Sequence, residues 1–300
     1  MRLLITGGTG LIGEKIIKNK QFTEVTILSR QIKKDHSHFH YINKLSELND
    51  LDNFDIVINL AGEPIVDKRW TKKQKIVIKE SRFNTTEKIV QLFHASKTPP
   101  KIFISGSAIG VYPSNINQDI TENFNFDDIN YFDFPMSLCK EWEKIANQVN
   151  NKNTRIITLR TGIVLSTEKG ALKKMLPAFK LNLGGPLSNG QQFISWIDIS
   201  DLINAIFFMI NNDLINGPVN LTAPNPVTNN DFSKALSSTL NKKNLLRLPS
   251  IILKLLMGES SQLLLEGHKV MPDKLTQNGF HFQYDTIDKS LSHLIKKQKV

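Results

Sequence analysis

The 300-residue chain has a single cysteine, Cys139, so no internal disulfide can form, as suits a reducing compartment such as the cytoplasm. It has no apolar run approaching the ~18 residues that a bilayer span requires. It has no basic leader followed by a cleavage site. These absences lead us to expect a cytoplasmic protein with no membrane partner. There is no internal repeat and no low-complexity linker. There is also no basic block: the formal net charge is +10, but the lysines are spread out and interleaved with Asp, Glu and Asn. Without a basic patch no nucleic-acid partner is expected. A diffuse positive field remains, suited to an anionic small molecule. His36, His38 and His40 alternate and would share one face of a strand, a pattern that could bind a metal. They fall in a polar segment away from the expected cleft, so no metal site is assigned.

What is present is apolar periodicity. Hydrophobic residues make up 40% of the chain, enough for a substantial core. Strand-length runs at 2–6, 24–29, 55–61, 101–107 and 155–165 alternate with helical patterns at 11–20, 72–95 and 136–150. A polar loop spans roughly 113–130. Such alternation predicts βαβ units with right-handed crossovers, an α/β fold of the Rossmann type with a doubly wound parallel sheet. The second part is less regular. It offers a helix at 170–185 closed by Gly184 and Gly185, a strand at 191–196, a helix at 198–210 opened by Asp198, a strand at 217–222, and a helix after Asn229 or Asn230. Short amphipathic helices fill the last fifty residues. We therefore expect a dinucleotide-binding domain over 1–165 and a smaller C-terminal α/β substrate lobe over 166–300. The lobe would include a helical segment from about 247, and the cleft would lie between the two parts.

The most informative stretch is LLITGGTGLIG, residues 3–13. Gly7 can take the tight turn off the strand, Gly10 lets a pyrophosphate approach the backbone, and Gly13 lets the helix pack closely on the sheet. Thr9, Leu11 and Ile12 supply further amides at the helix start, where an anion is favoured. A glycine triplet is weak evidence by itself, but this one follows a strand and opens a helix. The second strand ends in Ser29-Arg30. An NAD site places a carboxylate there for the ribose 2′-hydroxyl. A guanidinium instead pairs with a 2′-phosphate, so the cofactor expected is NADP(H).

With these runs in view, the chain resembles the extended short-chain dehydrogenase/reductase superfamily. More closely, it is similar to its epimerase-like (NAD-dependent epimerase/dehydratase) subfamily with a short C-terminal domain of unknown function. The runs that carry the likeness are NLAGEPI (59–65), KRW (68–70), SGSAIGVY (105–112), RTGIVLS (160–166), GGPL (184–187), SWIDISDL (195–202) and GPVNLTAPNPV (217–227). The resemblance implies that Leu60, Ala61 and Gly62 line the cofactor cleft and that Arg82 reaches into it. It also implies a catalytic Ser, Tyr and Lys, the last two sharing a helix face four residues apart. Ser107 and Lys140 match, but Met136 stands where the Tyr should be, and a thioether cannot move a proton. Substitutes are Tyr112, Tyr131, Cys139, Glu141 and Glu63, with Tyr112 the one assigned. Glu63, Trp70 and Trp196 are assigned to the substrate side.

Two functions follow. One is an NADP(H)-dependent oxidoreductase or epimerase-like enzyme acting on a small, sugar-nucleotide-like substrate held near Ser107. The other is a non-catalytic dinucleotide-binding regulatory or interaction protein, which Met136 favours. The superfamily often dimerises through its two long helices, here 72–95 and 136–150, so a homodimer is expected.

Overall fold

The computed structural model describes residues 1–31, 34–114, 118–127, 129–244 and 246–296. Residues 115–117 and 128 of the expected polar loop, and the last four of the chain, lie outside the described residues. In chain order the first part comprises β1 (Arg2–Thr6), α1 (Gly13–Ile16), β2 (Glu24–Leu28), β3 (Phe39–Ile42), β4 (Ile56–Asn59), α2 (Lys72–Ala95), β5 (Ile102–Ala108), α3 (Phe134–Ala146) and β6 (Arg155–Thr161). The second comprises β7 (Ile163–Leu165), α4 (Ala171–Lys180), β8 (Phe193–Ile194), β9 (Trp196–Asp198), α5 (Ile199–Asn211), β10 (Gly217–Leu221), β11 (Val227–Thr228) and α6 (Asn229–Thr239). Four short helices follow: α7 (Ser250–Met257), α8 (Gln262–Leu265), α9 (Asp273–Gln277) and α10 (Ile287–Lys296). No helix among the described residues is long and apolar enough to cross a membrane.

Seven strands form one sheet in the order β10-β6-β5-β4-β1-β2-β3, with every pairing parallel. The strand order reverses between β1 and β4, which opens a crevice at their carboxyl ends, the usual ligand site of such sheets. Alternation along the strands builds the two faces. Leu3, Ile5, Ile58 and Ile104 pack with Ile16 of α1 and Leu202 and Ile206 of α5. Leu4, Val57 and Phe103 face the other way, onto Ile89 and Phe93 of α2 and Ile145 of α3. Strands buried on both faces read as continuous apolar runs, which is why they were legible.

Four departures from expectation have local causes. The first helix covers only Gly13–Ile16, because Lys18, Asn19, Lys20 and Gln21 offer no apolar face and Phe22 turns inward onto Phe207. The run at 155–165 breaks at Gly162, where a Cβ would lie 2.4 Å from the Ser195 carbonyl oxygen. The helix α4 stops at Lys180, short of Gly184 and Gly185, and Gly184 instead packs under the Phe179 ring. Finally, β10 joins the main sheet and α5 packs against its face, so the sheet is not confined to 1–165.

A buried polar chain ties β1, β4, α2 and α3 together. Thr6 Oγ1 donates to Asn59 Oδ1 (2.6 Å), and Asn59 Nδ2 donates to Thr86 Oγ1 (2.8 Å). The Trp142 indole donates to the same Thr86 oxygen (2.9 Å), and Thr86 donates to the Arg82 carbonyl. Valine at Thr86 keeps the shape and removes the acceptor. We expect Thr86→Val to cost about 1–3 kcal/mol for each of the two orphaned donors, read as a lower midpoint in urea unfolding.

Candidate functional site

The glycine turn leaves β1 at Gly7, whose φ of 73° is open to glycine and strained for other residues. A Cβ on Gly7 would sit 2.7 Å from the Leu60 carbonyl, and one on Gly13 would sit 2.3 Å from Gly7 O. The turn is thus pressed against the end of β4. Gly10 N donates to Gly7 O and Glu14 N to Gly10 O. The amides of Thr9, Leu11 and Ile12 have no partner among the described residues, and Thr9 and Gly10 are exposed. Three unspent amides at the sheet's reversal point make a cradle for an anion.

Beyond β2, the buried Ser29 hydroxyl donates to Gln31 O (3.0 Å) and accepts from Gln31 N (3.2 Å), a tight turn that presents the intervening residue outward. That residue, Arg30, is exposed, and its guanidinium has no partner among the described residues. On the other side of the crevice, Leu60 N donates to Thr6 O and Ala61 N to Thr6 Oγ1. Gly62 lies under Arg82, whose guanidinium carbon would be 2.9 Å from a Cβ there. Arg82 bonds the Glu63 and Ile78 carbonyls and stacks on Trp142. Burial lowers its pKa, opposed by Cys139 and Glu63. Glu63 pairs with Lys68 (3.1 Å) at the rim.

The third part of the site centres on Ser107, at the carboxyl end of β5. Its hydroxyl donates to Glu143 Oε1 (2.6 Å) of α3. Glu143 is clamped by Arg160 of β6 in a two-pronged ion pair, Nε to Oε1 at 2.9 Å and Nη2 to Oε2 at 2.8 Å. Arg160 also donates to the Tyr112 hydroxyl (2.9 Å), which itself donates to Asn220 Oδ1 (2.7 Å) of β10. Burial alone would lower the Arg160 pKa, but the bonds to Glu143 outweigh it and the group is raised. The Cys139 thiol is buried against Ser107 and pushed up to about 12, chiefly by desolvation. Lys140 is lowered by desolvation and by Arg160, and its Nζ sits between the Phe126 and Phe132 rings, at 4.4 and 4.3 Å.

Three assigned residues sit elsewhere than expected. Tyr112 is in the core with its hydroxyl committed to Arg160 and Asn220, and burial pushes it to about 12, so it does not face the cleft. Trp196 is fully buried in the second core cluster, its indole bonded to Asn225 O. Trp70 is buried and packs edge-on against Phe134, its indole bonded to Ile65 O. Met136 is buried and lines a cavity of about 310 Å³ with Pro113, Asp133 and the exposed Tyr131. His36, His38 and His40 lie at the outer sheet edge beside β3. Among the described residues no group of three His, Cys, Asp or Glu could hold a metal ion.

Glu143, Arg160 and Asn220 were not singled out from the sequence. The signals were present: Arg160 is a charge set among apolar residues of a strand, and Glu143 follows Cys139 by one helical turn. Tyr112 and Cys139 stay protonated in the folded chain beyond the pH at which the unfolded chain releases those protons. The folded state therefore binds more protons there, and stability falls as pH rises. Their contribution is complete below about pH 9, the ordinary thiol value, and is lost from there, and from about pH 10 for the phenol, toward about pH 12. We expect urea melts to weaken from about pH 9, Cys139→Ala to delay that onset, and Ellman's reagent to label the native thiol only on unfolding.

Comparison with known proteins matches this geometry. Residues 3–221 match the NAD dependent epimerase/dehydratase family, and 248–294 match a domain of unknown function, DUF1731. An epimerase family protein of Staphylococcus aureus is 38% identical, over 98% of this chain and 99% of its own. The human epimerase family protein SDR39U1, solved with NADPH, superposes with a TM-score of 0.90 at 29% identity, covering 99% of each chain. A nucleoside-diphosphate sugar epimerase from Corynebacterium glutamicum superposes at 0.77 with 28% identity, over 98% of this chain and 58% of that one. The UDP-glucuronic acid 4-epimerase of Bacillus cereus, at 18% identity and a TM-score of 0.76, shares the fold. With the glycine turn at the sheet's reversal point and the family pattern spanning both parts of the sheet, the chain belongs to the NAD dependent epimerase/dehydratase family.

Proposed function

We propose that this protein binds NADP(H) in the crevice between β1 and β4 and is an epimerase-like oxidoreductase acting on a small, sugar-nucleotide-like substrate. The observation that carries the reading is the set of amides at Thr9, Leu11 and Ile12, together with Arg30 beyond β2, none of which has a partner among the described residues. The residues present fit a cofactor with a pyrophosphate and a ribose 2′-phosphate: side chains are missing where the backbone must be approached, and a forked cation stands where a 2′-phosphate would be read. That the human relative was solved with NADPH supports the choice. Thr9, Gly10, Leu11 and Ile12 would hold the pyrophosphate, Ser29 and Arg30 the ribose phosphate, and Leu60, Ala61, Gly62 and Arg82 the opposite wall. When bound, the nicotinamide supplies a donor and acceptor of hydride.

The remaining work falls to the chain's own groups. Ser107 has one proton and gives it to Glu143. Toward a substrate hydroxyl, Ser107 therefore acts as an acceptor. A proton arriving at Ser107 Oγ has a continuous path to Glu143 Oε1, whose orientation Arg160 fixes. Lys140 supplies a cation beside that path. Tyr131 shares a cavity with Met136, which supports it as the substitute for the missing phenol. A second reading, a dinucleotide-binding regulator, is favoured by the buried thioether of Met136 in the tyrosine slot.

NADPH deuterated at C4 and presented with carbonyl compounds and sugar nucleotides separates the two. The enzyme transfers label, and Ser107→Ala abolishes transfer. Tight binding with no transfer across a broad panel supports the regulator. Arg30→Ala should weaken NADPH about 10- to 100-fold in calorimetric titration, as for a lost charge-assisted pair, and leave NADH unchanged. Equal effects on both would remove the argument for NADP(H).

A further inference from the structure

Two separated stretches, 170–197 and 232–258, contain no Asp or Glu. The fold brings parts of them together. Ser188 N donates to Leu248 O and Leu248 N to Pro186 O, and Leu187 pairs with Leu248 in a parallel bridge. Lys243 N donates to Asn182 Oδ1 (2.9 Å). Directly after this ladder comes α7, whose Leu253 is buried while Ile251, Ile252, Leu255 and Leu256 are exposed. Leu181, Leu183 and Leu246 are exposed on the adjoining ladder. Leu181, Ile251, Leu255 and Leu256 are each about two-thirds exposed, a concentration that isolated surface leucines do not explain.

This apolar group carries charge of one sign. Lys180, Lys242, Lys243, Arg247 and Lys254 are exposed on the same elements, and none has an ion pair among the described residues. Meanwhile Arg69 grips the Leu255 and Leu256 carbonyls, and Lys75 pairs with Glu259 just beyond α7. The backbone of α7 is thus anchored while its apolar side chains point outward.

We propose that the face built from α7 and the adjoining ladder docks on an anionic lipid bilayer. Short aliphatic side chains would enter the headgroup boundary while flanking lysines lie along it with their ammonium groups at the phosphates. Charge complementarity selects this occupant. A second copy of the chain would bring two unpaired basic rims face to face, and a neutral partner would leave five cations unanswered. The earlier expectation of no membrane partner rested on the missing span, which does not bear on a surface lying against a bilayer. The proposal is independent of the cofactor.

The test is co-sedimentation of the full chain with phosphatidylcholine vesicles, with and without phosphatidylglycerol. The expected result is binding to the anionic vesicles alone, weakened by added salt. Leu255→Ser/Leu256→Ser and Lys242→Glu/Lys243→Glu should each reduce it about tenfold or more. These side chains are exposed, and an unchanged thermal melt confirms that the variants fold. Absence of binding to anionic vesicles overturns the proposal, as does binding unaffected by either variant. A dimer in sedimentation velocity that dissociates in Leu255→Ser/Leu256→Ser also overturns it, since the face then belongs to a second copy.

Discussion

The Thr86 hydroxyl is the point on which the crevice is hung. It accepts from Asn59 at the end of β4 and from Trp142 in the middle of α3, and it gives its own proton to the backbone of α2. Asn59 in turn accepts from Thr6, the last residue of β1. One hydroxyl therefore fixes the ends of the two strands between which the sheet reverses. Gly7 follows Thr6 and Leu60 follows Asn59, so the glycine turn and the Leu60–Gly62 turn are held by the residues immediately before them. Buried polar chains of this kind are costly when incomplete. Here each member has its partner, and the return is a rigid floor under an otherwise open cleft.

A second lock, from Ser107 through Glu143 and Arg160 to Tyr112 and Asn220, joins β5, α3, β6 and β10. Its core is a buried ion pair. Such a pair is seldom worth much net stability, because both charges must leave water. What it confers is placement. Carboxylate and guanidinium meet by two parallel bonds, which fixes both planes and leaves Ser107 one direction for its proton. The same guanidinium depresses the Lys140 ammonium and helps bury the Tyr112 phenol. One cation thus shapes three neighbouring groups.

The sheet was legible because its strands are buried on both faces and its crossovers follow a fixed hand. The long helix was legible as a pattern over roughly 72–95, whereas its cap, Thr71, which accepts from Gln74 N, was not singled out. The glycine turn was legible because its reason is steric: Gly7 and Gly13 sit where a Cβ would strike backbone. Side-chain roles were harder. Nothing in the spacing of Tyr112 shows that Asn220, more than a hundred residues later, takes its hydroxyl. Trp196 follows the polar Ser195 and stands two residues before Asp198, yet all three are buried, and Ser195 and Asp198 bond to Val270, Ser200 and Ser290. Polar residues that serve the interior of the C-terminal lobe look, in sequence, like residues of a pocket.

The missing tyrosine is best understood from the geometry of α3. Positions 136 and 140 lie on one stripe of that helix, and 139 and 143 on a neighbouring one, offset by about 60° round the axis at about 100° per residue. In this chain it is the second stripe that meets Ser107: the Cys139 thiol lies against it, and Glu143 takes its proton. The first stripe carries a buried thioether and an ammonium held between two aromatic rings. A phenol at 136 would bring a hydroxyl to the side of the cleft where Lys140 lies. A carboxylate at 143 brings acceptor capacity to the side where Ser107 lies. The serine's own proton is thereby committed to a carboxylate on α3, whose plane Arg160 of β6 fixes.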